Sequence, residues 1–272
     1  MDKYAVIGNP IDHSKSPQIH QAFAQQEKAE IDYQKILADE DKFTSTANEF
    51  FTSGGLGLNV TVPFKITAFE QCQQLSTYAK AAGAVNTISF DPVSGWSGAN
   101  TDGIGLLNDL KINQQLHLAG KHILILGAGG ASRGILLPLL EEHPASILLI
   151  NRTVSKATEL ANNFSIKGNI IAGGFNDVED KPYDLIINAT SASLTSDIPP
   201  VFSNTVGPDT VCYDLAYSDK PTAFLKWSMS LNAKKSIDGI GMLIEQAAES
   251  YYIWRKFRPN TSEVFKILRP GS

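Results

Sequence analysis

The chain has 272 residues, 43% of them apolar and 19% charged, which is the composition of a soluble globular protein with room for one large core or two ordinary ones. A net charge of −5 excludes the basic excess that nucleic-acid binders display. Cys72 and Cys212 stand far apart without metal or redox spacing, and the five histidines (His13, His20, His117, His122, His143) show no ligand spacing, so reduced thiols are expected and no metal site. The N-terminal MDKYAVIGNP has too short an apolar run for a signal peptide. The most apolar region, 123–140, is broken by glycines and Arg133, so no membrane span and a cytoplasmic location are expected.

YAVIG (4–8) predicts a buried strand ending in the turn signal GNP. In SKSPQIHQAFAQQ, Ser16 suits an N-cap and Pro17 the first helical position. IDYQKIL (31–37) predicts a second strand, EDKFTSTANEFF a second helix and LGLNVT (56–61) a third strand. AVNTISF (84–90) and WSGAN (96–100) straddle the turn-rich DPVSG, which predicts an antiparallel hairpin at a sheet edge. These hundred residues form a mixed α/β unit.

After Asn100 the pattern changes. TDGIGLLNDL predicts a linking helix, and a stricter alternation of strand and helix starts at Lys121. HILILGAGG runs into a helix through Leu140, and SILLIN (146–151) runs into SKATELANNF. DLIINAT (184–190) and TVCYDLAY (210–217) are further buried strands. Such alternation implies right-handed crossovers and a largely parallel sheet. From Gly241 to Lys256 the apolar spacing predicts one long helix, whose packing partner periodicity leaves open.

ILILGAGGASRG carries the sharpest local signal. A glycine-rich turn between strand and helix lets backbone amides approach a pyrophosphate at the helix N-terminus. Gly127 and Gly129 fill the first two fingerprint positions, but the third holds Ser132. A lone glycine turn is often only a tight connection; the strand–turn–helix context raises dinucleotide binding above that. At the next strand end an NAD site would place an acid for the ribose 2′-hydroxyl. Here stand Asn151, Arg152 and Thr153, and the next acid is Glu159. An arginine pairs with a 2′-phosphate that a carboxylate would repel, which favours NADP over a solvated-loop role for Arg152.

NVTVPFK (59–65) aims polar Asn59 and Thr61 from a strand, breaks at Pro63 and ends on Lys65. Alone, Lys65 reads as a surface lysine and Asp102 of NTDG as a helix cap. Together, where the pattern changes and a cleft between two domains is expected, they are the cation and acid that carbonyl reduction needs. An ammonium stabilises and protonates the oxygen as hydride arrives.

In order, YAVIGNP, SKSP, NVTVPFK, AGAVNT, NTDG, GAGGA, NRT, NATS and DGIGML with its glutamine resemble the shikimate dehydrogenase family over nearly the whole chain. The resemblance implies an N-terminal mixed α/β substrate domain over 1–101, completed by the C-terminal helices 242–272. It implies a Rossmann-like NADP-binding domain over 102–241, with the site in the cleft between them. It implies NADP-linked interconversion of 3-dehydroshikimate and shikimate with Lys65 and Asp102 as catalytic pair. Ser14 and Ser16 would hold the substrate carboxylate; Thr61, Asn86 and Gln246, with Asn59 less firmly, would meet ring hydroxyls; Tyr217 would close the pocket. Gly127, Ala128, Gly129, Gly130 and Ala131, then Asn151, Arg152 and Thr153, then Thr190 and Ser191, would line the cofactor, and Leu215, Gly239 and Met242 its nicotinamide. The run after NATS departs from the family pattern, with Ser193 and Ser196 where glycines are usual. The rivals are a sister enzyme that also oxidises quinate and accepts NAD, and a non-catalytic ligand sensor of the same fold. Whether the chain forms a homodimer is left open.

Overall fold

The computed structural model describes residues 1–190 and 200–269. Ser191, Ser193 and Ser196 lie outside the described residues. The chain divides into two compact units, one of Met1–Leu106 with Leu243–Ser272 and one of Leu107–Met242. The division thus falls inside the helix that follows Thr101.

The first unit opens with β1 (Asp2–Gly8), α1 (Ser16–Glu27), β2 (Ile31–Leu37), α2 (Phe43–Thr52) and β3 (Gly55–Val60). It continues through α3 (Lys65–Gln71), β4 (Gln74–Leu75), α4 (Thr77–Ala82), β5 (Thr87–Asp91), β6 (Gly95–Ala99) and the start of α5 (Asp102–Asn108). Its sheet runs β2-β1-β3-β5-β6-β4. β1 pairs in parallel with β2 and β3, while β3–β5 and β5–β6 are antiparallel, so the mixed unit and its hairpin are present as the pattern predicts. The hairpin lies one strand in from the edge, because the two-residue β4 pairs with β6 outside it. Ala5, Ile7, Leu58, Val60, Val85, Ile88 and the Phe43, Phe51, Phe64 and Trp96 rings form the core beneath this sheet.

Ser16 is not an N-cap. α1 begins at Ser16 itself, Lys15 precedes it in a helical conformation with no cap from its own side chain, and Pro17 falls one position inside the helix. Ser16 is buried, and its side chain bears on the Tyr33 phenol.

The second unit holds β7 (His122–Leu126), α6 (Gly130–Glu141), β8 (Ser146–Ile150), α7 (Val154–Asn162), β9 (Ile170–Gly173), β10 (Leu185–Asn188), β11 (Val211–Asp214), α8 (Ala223–Ser230) and β12 (Lys235–Asp238). Every pair in its sheet, ordered β12-β11-β10-β7-β8-β9, is parallel. The order reverses between β7 and β10, the switch point at which open α/β sheets bind ligands beyond the carboxyl ends of their strands. β7, β10 and β11 are buried on both faces, as central parallel strands must be, and read as continuous apolar runs.

α9 (Ile240–Arg255) starts at the end of the second unit and delivers most of its length to the first; α10 (Thr261–Leu268) follows. Its docking in the first unit is anchored by Arg255, which donates to Glu27 of α1 and to Asp2 of β1, each at 2.5 Å. The Tyr251 hydroxyl also donates to Glu27, and Trp254 stacks on Tyr4 with ring centroids 4.9 Å apart. No helix among the described residues is long and apolar enough to cross a membrane.

Candidate active site

Lys65 is the first residue of α3, held by what surrounds it. Phe64 before it is buried and stacks on Phe43 at 5.0 Å, and the Lys65 carbonyl accepts from the Val85 amide at 2.9 Å. Asp102 is the first residue of α5, its own amide donating to Asn100 Oδ1 at 3.1 Å. The two side chains meet, Lys65 Nζ to Asp102 Oδ2 at 2.6 Å, with the lysine 22% and the aspartate 7% exposed. A pair this poorly solvated keeps a defined geometry, unlike the surface pairs whose contribution is small.

Asn86, in the short link before β5, completes the grip on the acid by donating from Nδ2 to Asp102 Oδ1 at 2.8 Å. Its backbone is locked between strands, the amide donating to the Ala99 carbonyl and the carbonyl accepting from Val60. Gln246 of α9 turns Oε1 toward Asn86 Nδ2 at 3.3 Å and Thr101 Oγ1 at 3.4 Å. Lys65, Asp102, Asn86 and Gln246 are therefore brought together, and Thr101 joins them unforeseen. Its signal was the run of polar residues in ANTD at a strand end. Thr61 sits half-buried just past β3, its amide bound to the Ile7 carbonyl. Ser14 and Ser16 stand together at the start of α1, with the Ser16 amide 3.3 Å from Ser14 Oγ.

Asn59 behaves differently from its neighbours. It is 7% exposed, and its amide is occupied by protein groups: Oδ1 accepts from the Tyr33 phenol at 2.7 Å, and Nδ2 faces Ser250 Oγ at 3.0 Å and the Asn86 carbonyl at 3.2 Å. Behind Tyr33 lies His20, 1% exposed, stacked on it at 4.3 Å with neither ring nitrogen in hydrogen-bond geometry with any group. Burial pushes the imidazole down to about 3, and the Asn59 side chain offsets that only in part.

In the second unit, β7 ends in a glycine-rich turn that leads into α6. Gly127 has φ +102°, and a Cβ there would lie 3.0 Å from the Ala189 carbonyl oxygen, so glycine is required. Gly129 and Gly130 are exposed with nothing within 4 Å of a would-be Cβ, leaving an open cradle over the start of α6 for a phosphate-bearing ligand. Ala128 and Ala131 complete the turn, and Ala128 donates its amide to Asn151 Oδ1 at 3.2 Å. Ser132 replaces the third glycine without opening the turn. It is fully buried, and its hydroxyl donates to the Gly127 carbonyl at 2.5 Å. Arg152 and Thr153 are exposed just beyond β8. These donors fit NADP; no carboxylate stands where a free 2′-hydroxyl would need one.

The neighbouring strand ends are tied by groups that sequence reading missed. In register, Asn188 ends β10 opposite Asp214 at the end of β11. Asn188 Oδ1 accepts the Thr190 hydroxyl at 2.7 Å, and Asp214 accepts the Thr222 hydroxyl at 2.6 Å and the Ala216 amide at 3.1 Å. That holds the 215–217 loop carrying Leu215 and Tyr217, and burial raises the Tyr217 phenol. A Cβ on Gly239 would fall 2.1 Å from the Leu215 carbonyl oxygen, so β12 closes on this loop only through glycine. Met242 is buried, its amide 3.2 Å from the Tyr213 hydroxyl. A polar residue closing an apolar parallel strand was the available signal for both Asn188 and Asp214.

A part-buried lysine–aspartate pair in one unit, and a parallel sheet with a strand–glycine turn–helix in the other, match the architecture of two-domain nicotinamide-dependent dehydrogenases. Family models agree along the chain: the shikimate dehydrogenase substrate binding domain matches residues 6–88, shikimate / quinate 5-dehydrogenase matches 110–197, and the shikimate 5'-dehydrogenase C-terminal domain matches 239–268. A relative from Cellvibrio japonicus named shikimate dehydrogenase (NADP(+)) is 49% identical over 268 residues, covering 98% of this chain and 97% of its own. Among solved structures, an Ael1 enzyme from Pseudomonas putida superposes with TM-score 0.92 at 40% identity, covering 98% of both chains. Shikimate dehydrogenase from Aquifex aeolicus superposes at 0.88 and 33%, covering 99% of this chain and 98% of its own. The chain belongs to the shikimate dehydrogenase family.

Proposed function

We propose that this protein interconverts 3-dehydroshikimate and shikimate with NADP as the redox partner. The carrying observation is the Lys65–Asp102 pair at 2.6 Å, fixed by the Asn86 amide in a setting of uncharged polar side chains. Such side chains suit a polyhydroxy ring, because each orients a hydroxyl without adding charge.

In this reading the Ser14 and Ser16 hydroxyls hold the substrate carboxylate beside the N-terminus of α1, whose positive dipole end favours an anion. Thr61, Asn86 and Gln246 receive ring hydroxyls, and Tyr217 covers the substrate. Asn59, fully engaged by Tyr33, Ser250 and the Asn86 backbone, serves the ring from behind. Gly127 to Ala131, Asn151 to Thr153, Thr190 and Ser191 hold NADP, with Leu215, Gly239 and Met242 beside its nicotinamide. When bound, NADPH supplies the hydride for the carbonyl carbon, and NADP takes it back in the reverse direction. Lys65 donates its proton to the oxygen as negative charge develops there, and Asp102 keeps the ammonium aimed. In oxidation Lys65 must first release a proton to solvent and then take the substrate's hydroxyl proton, so turnover in that direction rises with pH. Measuring shikimate oxidation across pH ~7 to ~10 checks this; a flat profile for the chemical step removes lysine as the proton carrier.

A cytoplasmic location belongs to the same proposal. It is supported by free Cys72 and Cys212, whose thiols burial pushes up to about 12, and it is tested by fractionating source cells.

The deciding experiment follows reduced nicotinamide absorbance with shikimate or quinate and NADP or NAD. Turnover of shikimate with NADP, lowered about 100-fold or more by Lys65→Ala, is expected. Comparable rates with quinate or NAD would instead assign the broader quinate-oxidising activity. Cofactor binding without turnover of any pair would overturn the reading in favour of a ligand sensor.

A further inference from the structure

The proposed reading gives Asn86 two tasks, facing a ring hydroxyl and holding Asp102, and both depend on which way round its amide lies. The Thr101 backbone N–H, which can only donate, lies 2.9 Å from Asn86 Oδ1. That leaves Nδ2 facing Asp102 Oδ1 at 2.8 Å. A second set of groups bears on the same oxygen, and its hydrogens can be counted.

The Tyr33 hydroxyl donates to Asn59 Oδ1 at 2.7 Å, which turns Asn59 Nδ2 toward Ser250 Oγ at 3.0 Å. Ser250 and Thr87 hydroxyls are 2.7 Å apart, and Thr87 Oγ1 lies 2.9 Å from Asn86 Oδ1. Each hydroxyl has one hydrogen. If Thr87 gives its own to Asn86, Ser250 gives its own to Thr87 at 2.7 Å in preference to the Gln246 carbonyl at 3.0 Å, and Ser250 then accepts from Asn59. The result is a one-directional chain, Tyr33 to Asn59 to Ser250 to Thr87 to Asn86 to Asp102, ending on the carboxylate that binds Lys65. Aligned hydrogen bonds polarise one another, so each strengthens the next. Thr87 is 1% exposed and Ser250 is fully buried, so water has no room to replace either hydroxyl.

We propose that Thr87 and Ser250 are positioning residues for this reaction, acting through Asn59 and Asn86 to hold the Lys65–Asp102 pair in its proton-transferring geometry. This rests on the shikimate dehydrogenase reading above. Neither side chain touches the ion pair or needs to touch substrate.

The test is Thr87→Val, which keeps the shape and removes the hydroxyl, beside Thr87→Ser, which keeps the hydroxyl. The fold should survive Thr87→Val because the other groups keep partners: Asn86 Oδ1 retains the Thr101 amide, and Ser250 retains Asn59 and turns its freed hydrogen to the Gln246 carbonyl. At unchanged Tm, kcat for shikimate oxidation is expected to fall about fivefold, equal to ~1 kcal/mol in the barrier. The solvent deuterium isotope effect on kcat should rise as proton transfer becomes the slow step. Thr87→Ser should restore both. A merely structural role would lower the active fraction and leave the isotope effect where it was. Ser250→Ala should repeat the loss, and it decides the matter if Thr87→Val does not fold. Wild-type kcat and isotope effect in the folded variants would overturn this inference alone, with Lys65→Ala still inactive. Absence of turnover in the wild-type protein would remove the reading and this inference with it.

Discussion

Two single side chains, Arg152 and His20, carry separate predictions for cofactor choice and acid stability. Arg152 is exposed beyond β8, where no carboxylate competes for it. Arg152→Ala is expected to weaken NADP binding about 10- to 100-fold, the worth of a charge-assisted phosphate contact, and NAD far less. Titrating both nucleotides against the variant checks this, and equal losses would remove the argument from the 2′-phosphate. His20 sets a different limit. Its folded imidazole titrates at about 3 and its unfolded form at ~6.5, so between those values the unfolded chain binds a proton that the folded chain refuses. Stability should therefore fall as pH drops below ~6.5, by up to about 1.4 kcal/mol per pH unit from this group alone. His20→Phe keeps a ring on Tyr33 and loses no hydrogen bond. Its urea midpoint should decline less steeply between pH ~6.5 and ~4.5 than that of the wild type. The sequence displayed Lys65, Asp102 and the glycine turn through local chemistry, whereas Thr87, Ser250 and Tyr33 stayed hidden. A threonine opening a strand and a serine in an amphipathic helix look like scaffold until β5 and α9 bring them within 2.7 Å.

Between elements, the closest approach that matters is α5 against α9 within the first unit. A Cβ on Gly105 would lie 2.6 Å from Gln246 Cβ and 2.7 Å from its backbone nitrogen. Gly105→Ala must therefore push α9 away and carry Gln246 off Asn86 and Thr101. About a tenfold loss in kcat/KM for shikimate is expected, with NADP binding unchanged. An unaltered kcat/KM would show that the helices give way without moving Gln246. The Arg255 anchor is the other decisive contact. Burial works against the Glu27 carboxylate, but Arg255 and Tyr251 outweigh it and hold the group below its usual value. A depressed acid stabilises above its unfolded pKa and loses that contribution as pH falls through the folded one. Arg255→Ala is expected to cost about 1–3 kcal/mol, less than a fully buried pair, since the two side chains keep 14% and 20% exposure. The gap in Tm between wild type and variant, full at neutral pH, should narrow below pH ~4, where both also carry the His20 loss. Long periodic elements such as α9 and the central strands were legible because burial on a fixed face leaves a repeating pattern. β9 and β12 were not: both are four-residue edge strands, KSID being half charged and IIAG apolar but too short to show a period.

At the scale of the molecule, the discontinuity of the first unit is the dominant feature, since Leu243–Ser272 belong with Met1–Leu106. A chain ending at Met242 should keep NADPH binding, followed by nucleotide fluorescence, while losing shikimate turnover and the near-ultraviolet signal of the packed Tyr4–Trp254 pair. Retained turnover would show that α9 is dispensable. The two-part division was legible from the change of pattern after Asn100. The return of the last helix came only from the family resemblance, because helical periodicity reports which face is apolar and not which partner covers it. The same discontinuity orders events during synthesis. At ~5–20 residues per second, the first hundred residues wait on the order of ten seconds for the helix that finishes their core. Through that interval the nascent substrate-binding half stands open at the Trp254 face of β3, where Gly57 leaves room for the indole. The later-made half is already free to fold around its nucleotide. A ribosome that stalls before Leu243 would thus release a polypeptide that sequesters NADP and exposes an unfinished sheet, a natural substrate for chaperones.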